Sequence, residues 1–330
     1  MKHNRLFTLF GATIGILILI LDSETALNGA SDGIELCIKT VIPSLFPFFV
    51  LSSLLTSSLI GTSIALLRPL FRCLGVPSGA ESLVLTGFIG GYPVGAQTVA
   101  GAYREGCLPK DTAQRMLAFC NNAGPSFLFG MIGTQFPNRW MVWVLWGIHL
   151  LGAIFAAVII PCKDESSVKP MKGQVKRVSD AVISSIQVMG TVCAWIVLFR
   201  IVIAFLNRWF FWLLPQTVQI CLMGILELAN GCCALAQITD VNLRFVICSG
   251  MLAFGGICVT MQTVSVAENL SLKQYFLGKL LQTLFSLLTA ISVCMIKRSK
   301  LGYLALGLIA STFVIFQINK KRCIREKSIV

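Results

Sequence analysis

Charged residues are scarce in this chain, and their scarcity excludes an ordinary soluble protein. Charged side chains make up 12% of the 330 residues, whereas hydrophobic side chains make up 56%. A soluble domain carries about 25% charged residues, because its surface must stay hydrated. The mean hydropathy of +0.82 points the same way. The composition therefore predicts an integral membrane protein whose main surroundings are the lipid bilayer.

Histidine is almost missing, and so are the motifs of the common enzyme and metal-site classes. The two histidines are His3 and His149. The chain has no nucleophile elbow, zinc-protease motif, phosphate-binding loop or dinucleotide fingerprint. Its 13 cysteines form no CxxC pair, and most lie in apolar runs, where cysteine packs as a small hydrophobe. We therefore expect no catalytic residues, no metal and no cofactor, and we interpret the chain as a non-enzyme.

Long apolar runs predict membrane-spanning helices. A helix needs roughly 20 mostly apolar residues to cross the hydrocarbon core. The clearest runs are Trp140–Pro161, Val192–Leu206, Tyr275–Ile296 and Leu301–Ile318. The two-residue alternation of a membrane β-barrel is missing, so the fold class predicted is an all-α polytopic membrane protein. A further run, Leu6–Leu21, follows a basic start and is interpreted as a retained first span rather than a cleaved signal peptide.

The net charge of +13 is interpreted as a topology signal and not as a nucleic-acid footprint. Basic residues cluster beside spans in Met1–Arg5, in the loop Cys162–Ser179 and in the tail Lys320–Lys327. The positive-inside rule predicts that these three segments are cytoplasmic. The cluster at Lys297–Lys300 lies at the other end of the last predicted span and contradicts a simple assignment. No nucleic-acid partner is expected.

The basic loop at residues 162–179 divides the chain into two halves with the same order of parts. The halves, residues 30–161 and 180–296, each contain two interrupted apolar segments and then a long helix. A transmembrane segment at 1–29 precedes them, and a transmembrane helix with a basic tail follows at 297–330. Weak internal repeats with helices broken at matching places are typical of secondary transporters. Chance similarity between apolar sequences is the alternative.

The first interrupted segment of the first half is rich in glycine and also contains a proline. Gly90, Gly91, Tyr92, Pro93 and Gly95 fall in one short apolar stretch. Glycine permits positive φ and proline removes a backbone donor, so a continuous helix is not expected. We predict a helical hairpin or re-entrant loop with Gly90–Pro93 at its tip. Such backbone is tolerated only inside protein or beside a water-filled cavity; small-residue helix packing is the alternative.

The second interrupted segment places amides and a hydroxyl in an apolar run. Its polar and helix-breaking residues are Asn121, Asn122, Gly124, Pro125 and Ser126. Pro125 suits the first turn of a new helix, and the amides of a helix N-terminus attract carboxylates. A polar ligand is one partner for these groups, and hydrogen bonds between helices are the alternative.

In the second half, Glu227 and Asn230 lie among apolar residues. A carboxylate within the membrane is costly, which makes it a functional candidate by default. Glu227 is interpreted either as a proton or cation site, or as the ion-pair partner of Arg200 or Arg244.

A weaker interruption follows at Gly255 and Gly256, with Gln262 beyond them. It has no proline, so ordinary helix packing is favoured there. Lys279 and Arg200 also lie in apolar runs, and both are interpreted as snorkelling side chains that reach the membrane surface.

Two motifs carry a family resemblance. Tyr92–Ala96 (YPVGA) followed by Phe119–Pro125 (FCNNAGP) resembles the YlbJ (SpoVV) family of sporulation integral membrane proteins. That family is placed in the Gate, or nucleoside-recognition, domain group. The resemblance covers Ala30–Ile296, so it implies two Gate-like halves. The chain departs from the family at Gly90, where serine is expected in many members.

The resemblance implies transport. Members of the family are assigned to moving dipicolinate, a planar dicarboxylate, from mother cell to forespore. We therefore predict a transporter of a small organic anion in the cell membrane or outer forespore membrane, with a homo-oligomer left open. The alternatives are a membrane protein that assembles or anchors a sporulation complex, and a carrier of nucleosides or another solute. The predicted substrate-binding residues are Gly90, Gly91, Tyr92, Pro93, Gly95, Asn121, Asn122, Gly124, Pro125, Ser126, Glu227, Asn230, Gly255, Gly256 and Gln262.

Overall fold

The computed structural model describes residues 2–60, 62, 67–161, 175–267, 269–296 and 307. Within that part of the chain the regular structure is entirely helical. Five segments are long and apolar enough to cross a membrane, namely Ser23–Leu59, Arg139–Ile159, Val178–Trp209, Val241–Val266 and Lys273–Ile296. The protein is therefore an all-α, polytopic integral membrane protein, as its composition predicts.

Eight α-helices of the described residues precede the basic loop at residues 162–179. Their bounds are α1 Lys2–Leu21, α2 Ser23–Leu36, α3 Ile42–Leu59, α4 Arg68–Cys73, α5 Glu81–Gly90, α6 Val94–Arg104, α7 Lys110–Cys120 and α8 Arg139–Ile159. A π-helical turn at Cys37–Val41 joins α2 to α3. A second one, Ser126–Met131, follows α7.

The second half contains six α-helices with matching roles. Their bounds are α9 Val178–Trp209, α10 Gln216–Leu226, α11 Leu228–Ala234, α12 Val241–Phe254, α13 Gly256–Val266 and α14 Lys273–Ile296. Short 3-10 turns at Phe211–Leu213 and Leu235–Gln237 complete the connections.

Each half follows the same sequence of elements: a long helix, two interrupted segments and a closing long helix. In the first half the interruptions lie at Gly91–Pro93 and at Asn121–Pro125. In the second half they lie at Glu227 and at Gly255. These four interruptions lie in the interrupted segments named from the sequence.

The start of the chain differs from the predicted division at residue 29. The first helix ends at Leu21, and the Asp22 carboxylate accepts the backbone N–H of Thr25 at 3.4 Å, which caps α2. Residue 29 consequently lies inside α2, which continues through the π-turn into α3. The apolar part of α1, Leu9–Leu21, is shorter than the five spanning segments.

Two other predicted segments lie outside the described residues. They are most of the basic loop, at 162–174, and the C-terminal helix and tail, at 297–330 apart from residue 307. Within the described part, α9 begins at Val178, so the last residues assigned to the loop are helical.

Helix α14 shows how the spans separate a lipid face from an inner face. Leu280, Leu284 and Leu288, spaced four residues apart, are 56%, 50% and 57% exposed. Polar residues on the opposite side are buried against the protein. Because lipid offers no hydrogen-bond partners, polar side chains in a span turn toward other helices. This inner stripe of α14 faces the helix breaks.

Candidate substrate-binding site at the helix breaks

The two helix breaks of the first half contact each other directly through backbone atoms of glycine residues. Gly91 ends α5 with φ +75°, and a side chain added there would meet the Gly124 nitrogen at 2.9 Å. A side chain added at Gly124 would meet the Gly91 Cα at the same distance. The Tyr92–Pro93 peptide bond is cis, and α6 begins directly after it. Glycine at both positions is therefore what lets the predicted hairpin tip contact the second break.

Asn121 joins this contact to the second half of the chain. It is fully buried, and its side-chain amide donates to the Thr263 hydroxyl of α13 at 2.8 Å. Its side-chain oxygen accepts the backbone N–H of Ala96 in α6 at 3.4 Å. One amide thus connects three elements: the second break, α6 and α13.

Asn122 and the backbone beyond it are satisfied by helices α8 and α14. The Asn122 amide donates to the Phe119 carbonyl at 2.6 Å, and its oxygen accepts from Gln282 at 3.0 Å. The backbone N–H of Ala123 donates to Nε2 of His149 at 3.0 Å. Gln282 also donates to the His149 carbonyl at 3.1 Å. Helices α8 and α14 thus hold the broken chain in place.

Lys279 brings a basic amino group into the centre of this network. It is 2% exposed, and its ammonium group donates to the Asn121 carbonyl at 2.6 Å, the Gln282 side-chain oxygen at 3.1 Å and the Tyr92 hydroxyl at 3.2 Å. The ammonium also lies 5.0 Å from the centre of the Tyr92 ring. The predicted snorkelling of Lys279 is wrong, because the side chain points into the protein interior and not toward the membrane surface.

The charge on Lys279 has no carboxylate partner among the described residues. Their four ion pairs are Lys39–Glu35, Arg177–Asp180, Arg200–Asp32 and Arg208–Asp22. A buried ion costs several kcal/mol unless a countercharge compensates it. Neutral oxygens satisfy the hydrogen bonds of Lys279 but leave its charge uncompensated. The position is therefore suited to a negatively charged ligand.

Glu227 is a helix cap and not the partner of an arginine. It is 3% exposed, and its carboxylate accepts the backbone N–H groups of Ala229 at 3.0 Å and Asn230 at 2.7 Å. The Asn230 side chain donates to the same carboxylate at 2.8 Å. The predicted ion pair with Arg200 or Arg244 is wrong, because the carboxylate already accepts three N–H donors at the start of α11.

The arginines named as partners for Glu227 are engaged elsewhere. Arg200 pairs with Asp32 at 2.8 Å. Arg244 donates to the backbone carbonyls of Gln135 at 2.6 Å and Ile238 at 2.5 Å. Arg200 is 25% exposed at the edge of a cavity, and its ion pair replaces the predicted snorkelling.

The break at Gly255 is real, although helix packing was the favoured interpretation. Gly255 and Gly256 have φ of +83° and +84°, a region that favours glycine over other residues. A side chain added at Gly255 would lie 3.1 Å from the Tyr92 hydroxyl. That hydroxyl donates to the Leu252 carbonyl at 3.1 Å, near the end of α12. The tip of the first half and the last break of the second half therefore meet at Tyr92.

Residues from all four interrupted segments line one small cavity of about 50 Å³. Apolar side chains of α3 and α9, among them Phe49 and Ile196, form its remaining wall. Pockets for small molecules are usually about 300–1,000 Å³, and a volume near 50 Å³ admits only a few waters. In the described conformation the cavity is thus too small for an organic substrate. The predicted residues on its lining are Gly91, Tyr92, Gly124, Ser126, Glu227 and Gln262.

The other predicted residues lie around this cavity in three groups. Asn121 and Asn122 are behind its wall, where they make the contacts described above. Asn230 lies on the far side of Glu227 and faces a different cavity. The remainder shape the backbone at the four breaks, and they are Gly90, Pro93, Gly95, Pro125, Gly255 and Gly256.

Reasoning from the sequence missed the side chains that α8, α13 and α14 bring to the site. Lys279 and Gln282 on α14, His149 on α8 and Thr263 on α13 are all at most 4% exposed. A signal was present in α14, where Tyr275, Lys279, Gln282 and Ser286 recur at helical spacing in an apolar run. No group of three or more potential metal ligands occurs among the described residues.

The chain is similar to the sporulation integral membrane protein YlbJ of Bacillus subtilis (strain 168). The two are 25% identical over 342 aligned positions, which cover 87% of this chain and 82% of the relative. This similarity confirms the resemblance read from the YPVGA and FCNNAGP motifs. No protein-family model matches the chain. No solved structure matches it either.

Proposed function

We propose, on the premise that this chain is a member of the YlbJ family of sporulation integral membrane proteins, that it transports a small organic anion. The substrate we propose is dipicolinate, moved across the cell membrane or the outer forespore membrane during endospore formation. The observation that carries the proposal is the buried ammonium of Lys279, which lacks a carboxylate partner in the described part of the chain.

The charges around the cavity determine how an anionic substrate is oriented in it. Lys279 stands directly behind Tyr92 on one side, with its ammonium 3.2 Å from the Tyr92 hydroxyl. Glu227 also lines the cavity, where it caps α11. A carboxylate is attracted to the lysine and repelled by the glutamate, so an anionic substrate binds with its negative group toward Tyr92. The Ser126 hydroxyl also lines the cavity and supplies a donor there.

Broken helices suit this task because their freed backbone groups are available at membrane depth. In secondary transporters, substrate sites form where discontinuous helices of two repeats meet. Here the tip of the first half meets the break at Gly255 through Tyr92. The cavity of about 50 Å³ must widen to admit a dicarboxylate, and glycine-rich breaks allow such movement at little steric cost.

The test is uptake of labelled dipicolinate by liposomes that contain the purified protein. We expect Lys279→Gln to lower uptake at least about tenfold, because a hydrogen bond to a charged group is worth about 1.5–3 kcal/mol. Lys273→Gln is the matched control, since Lys273 is exposed at the start of the same helix. Thermal unfolding of both variants separates lost binding from lost folding.

The outcomes distinguish the proposal from its alternatives. Uptake of labelled nucleosides in place of dipicolinate assigns the site to another substrate. A wild-type protein that transports neither solute is instead an assembly or anchoring protein, and the Lys279→Gln defect then follows the loss of folding. Normal dipicolinate content in spores of a strain lacking the gene contradicts the proposed role in endospore formation.

A further inference from the structure

A second and larger cavity lies next to the central one. Its volume is about 650 Å³, and it is bordered mainly by α9, α10 and α11. Unlike the central cavity, it is within the size range of small-molecule pockets, roughly 300–1,000 Å³. We call this space the vestibule. Its polar lining residues are Arg200, Asn207, Gln219, Asn230, Cys233 and Gln237.

One hydrogen-bonded pair connects the lining of the vestibule with that of the central cavity. Asn230 lines the vestibule, and Glu227 lines the central cavity. The Asn230 side chain donates to the Glu227 carboxylate at 2.8 Å across this boundary. Both residues are nearly fully buried, at 5% and 3% exposure. Movement of this pair would join the two spaces.

The vestibule itself has a positive character. Among the described residues that line it, Arg200 is the charged one, and it is accompanied by the amides of Asn207, Gln219 and Gln237. The Arg200 guanidinium pairs at 2.8 Å with Asp32, whose side chain is 54% exposed. An ion pair with so exposed a partner is worth only about 0–1 kcal/mol. A carboxylate that enters the vestibule can therefore replace Asp32 on Arg200 at small cost.

We propose that the vestibule is the access path for the substrate anion, that Arg200 is its outer binding residue, and that the Asn230–Glu227 pair is the gate to the central cavity. The inference rests on the proposed function, because it concerns the route to that same site. It adds a second anion-binding position, at Arg200, outside the central cavity. A guanidinium that pairs with carboxylates through two parallel donors fits a dicarboxylate well.

The first test compares the two partners of one ion pair. We expect Arg200→Gln to raise the KM for dipicolinate uptake about two- to fivefold, the range that corresponds to an exposed ion pair. We expect Asp32→Asn to lower it, because the variant frees Arg200 for the substrate. If Arg200–Asp32 merely joins α2 to α9, both substitutions act in the same direction, and that result overturns the proposal.

A matched control pair is present on the same two elements. Arg208 near the end of α9 pairs at 2.9 Å with Asp22, the cap of α2, and Arg208 is not part of the vestibule lining. We expect Arg208→Gln and Asp22→Asn to leave the KM unchanged. A change in KM with the control pair equal to that with Arg200 also overturns the assignment, since any charge at the α2–α9 contact would then suffice.

The second test needs no transport and no substitution. Cys233 lines the vestibule, whereas Cys73 is exposed at the end of α4, away from it. In detergent-solubilised wild-type protein we expect dipicolinate to slow alkylation of Cys233 by a charged thiol reagent and to leave Cys73 unchanged, as measured by mass spectrometry. Equal rates with and without dipicolinate contradict an anion site in the vestibule. Protection of Cys233 in a protein that fails to transport dipicolinate supports the vestibule while refuting the proposed function.

Discussion

Replacing Gly95 with alanine tests whether the contact between the first two breaks holds the site together. Gly95 lies in the first turn of α6, and a side chain there would overlap the carbonyl oxygen of Cys120. It would also lie 3.0 Å from the Cα of Gly87 on the other arm of the hairpin. Both neighbours are backbone atoms, which cannot rotate away as a flexible side chain can.

The size of the effect follows from that geometry. A carbon normally approaches a carbonyl oxygen to about 3.3–3.6 Å, so α6 must move outward by about 1 Å to accept the methyl group. Overpacking of this kind costs about 1–3 kcal/mol and sometimes more. The helix propensity of alanine returns about 1 kcal/mol at most. We therefore expect Gly95→Ala to lower the free energy of unfolding by about 2 kcal/mol and to displace the neighbouring Tyr92 from Lys279.

Gly101 provides the matched control six residues further along the same helix. A side chain there meets no heavy atom within 4 Å. We expect Gly101→Ala to leave stability unchanged or to raise it by up to about 1 kcal/mol, through helix propensity alone. The measurement is chemical unfolding in mixed micelles, together with dipicolinate uptake. Equal unfolding free energies for the two variants would show that α6 does not rest on the Cys120 carbonyl, and the described packing would then be incorrect.

Two further predictions concern bonds that join distant parts of the chain. Thr263→Val removes the acceptor of the buried Asn121 amide and should cost about 1–3 kcal/mol, whereas Thr260→Val removes only a bond within α13 and should cost less in the same unfolding assay. Arg115→Gln should lower the unfolding free energy by about 3 kcal/mol or more, because the buried guanidinium donates to four backbone carbonyls at the ends of α4 and α8. Arg104→Gln is the control, since that exposed arginine donates to one carbonyl; a cost equal to that of Arg115→Gln contradicts the assigned role.

The parts of this fold that depend on local chemistry could be predicted from the sequence. Apolar runs long enough to cross a bilayer become helices because lipid leaves the backbone no other partner. The break at Gly91–Pro93 follows from glycine and proline, because each of them changes the backbone conformation allowed at its own position. Glu227 was within reach of the same reasoning, because its bonds to Ala229 and Asn230 span only three residues and match an N-cap pattern. The sequence interpretation considers only a proton or cation site and an ion pair with an arginine for Glu227, and it omits the cap.

The remaining contacts of the candidate site depend on which helices become neighbours in the fold. A single sequence contains little information about such helix pairing. Lys279 lies in an apolar run, and hydropathy alone does not tell a lysine that extends to the membrane surface from one that turns inward. The difference comes from α7: a side chain at Gly278 would overlap the Ala118 carbonyl, so the two helices lie close enough for Lys279 to reach Asn121. The contact of Gly91 with Gly124 is non-local in the same way.

The bonds around the central cavity are unevenly distributed, and this bears on how the cavity opens. Several hydrogen bonds tie the first half to the second, among them Tyr92 to the Leu252 carbonyl, Asn121 to Thr263, and Lys279 to the Asn121 carbonyl. Neutral hydrogen bonds contribute about 0.5–1.5 kcal/mol each, and those of charged groups about 1.5–3 kcal/mol. Separation of the halves along this side therefore costs several kcal/mol in the absence of compensating contacts with a substrate.

The vestibule side is held within one short segment. There Glu227 accepts three N–H donors from the seven-residue helix α11, namely the backbone N–H of Ala229 and both the backbone and the side-chain N–H of Asn230. Rotation of the Asn230 side chain alone breaks only the last of these bonds and leaves the bonds between the halves intact. Rotation of that side chain, without displacement of α11, is thus the low-cost way to open toward the vestibule. Release on the other side requires a competitor for Lys279, and a substrate carboxylate that displaces the Asn121 carbonyl from its ammonium is such a competitor. In this scheme, a substrate that binds from the vestibule weakens the bonds that close the opposite side of the cavity. Lys279 thereby couples opening toward the vestibule with opening on the opposite side.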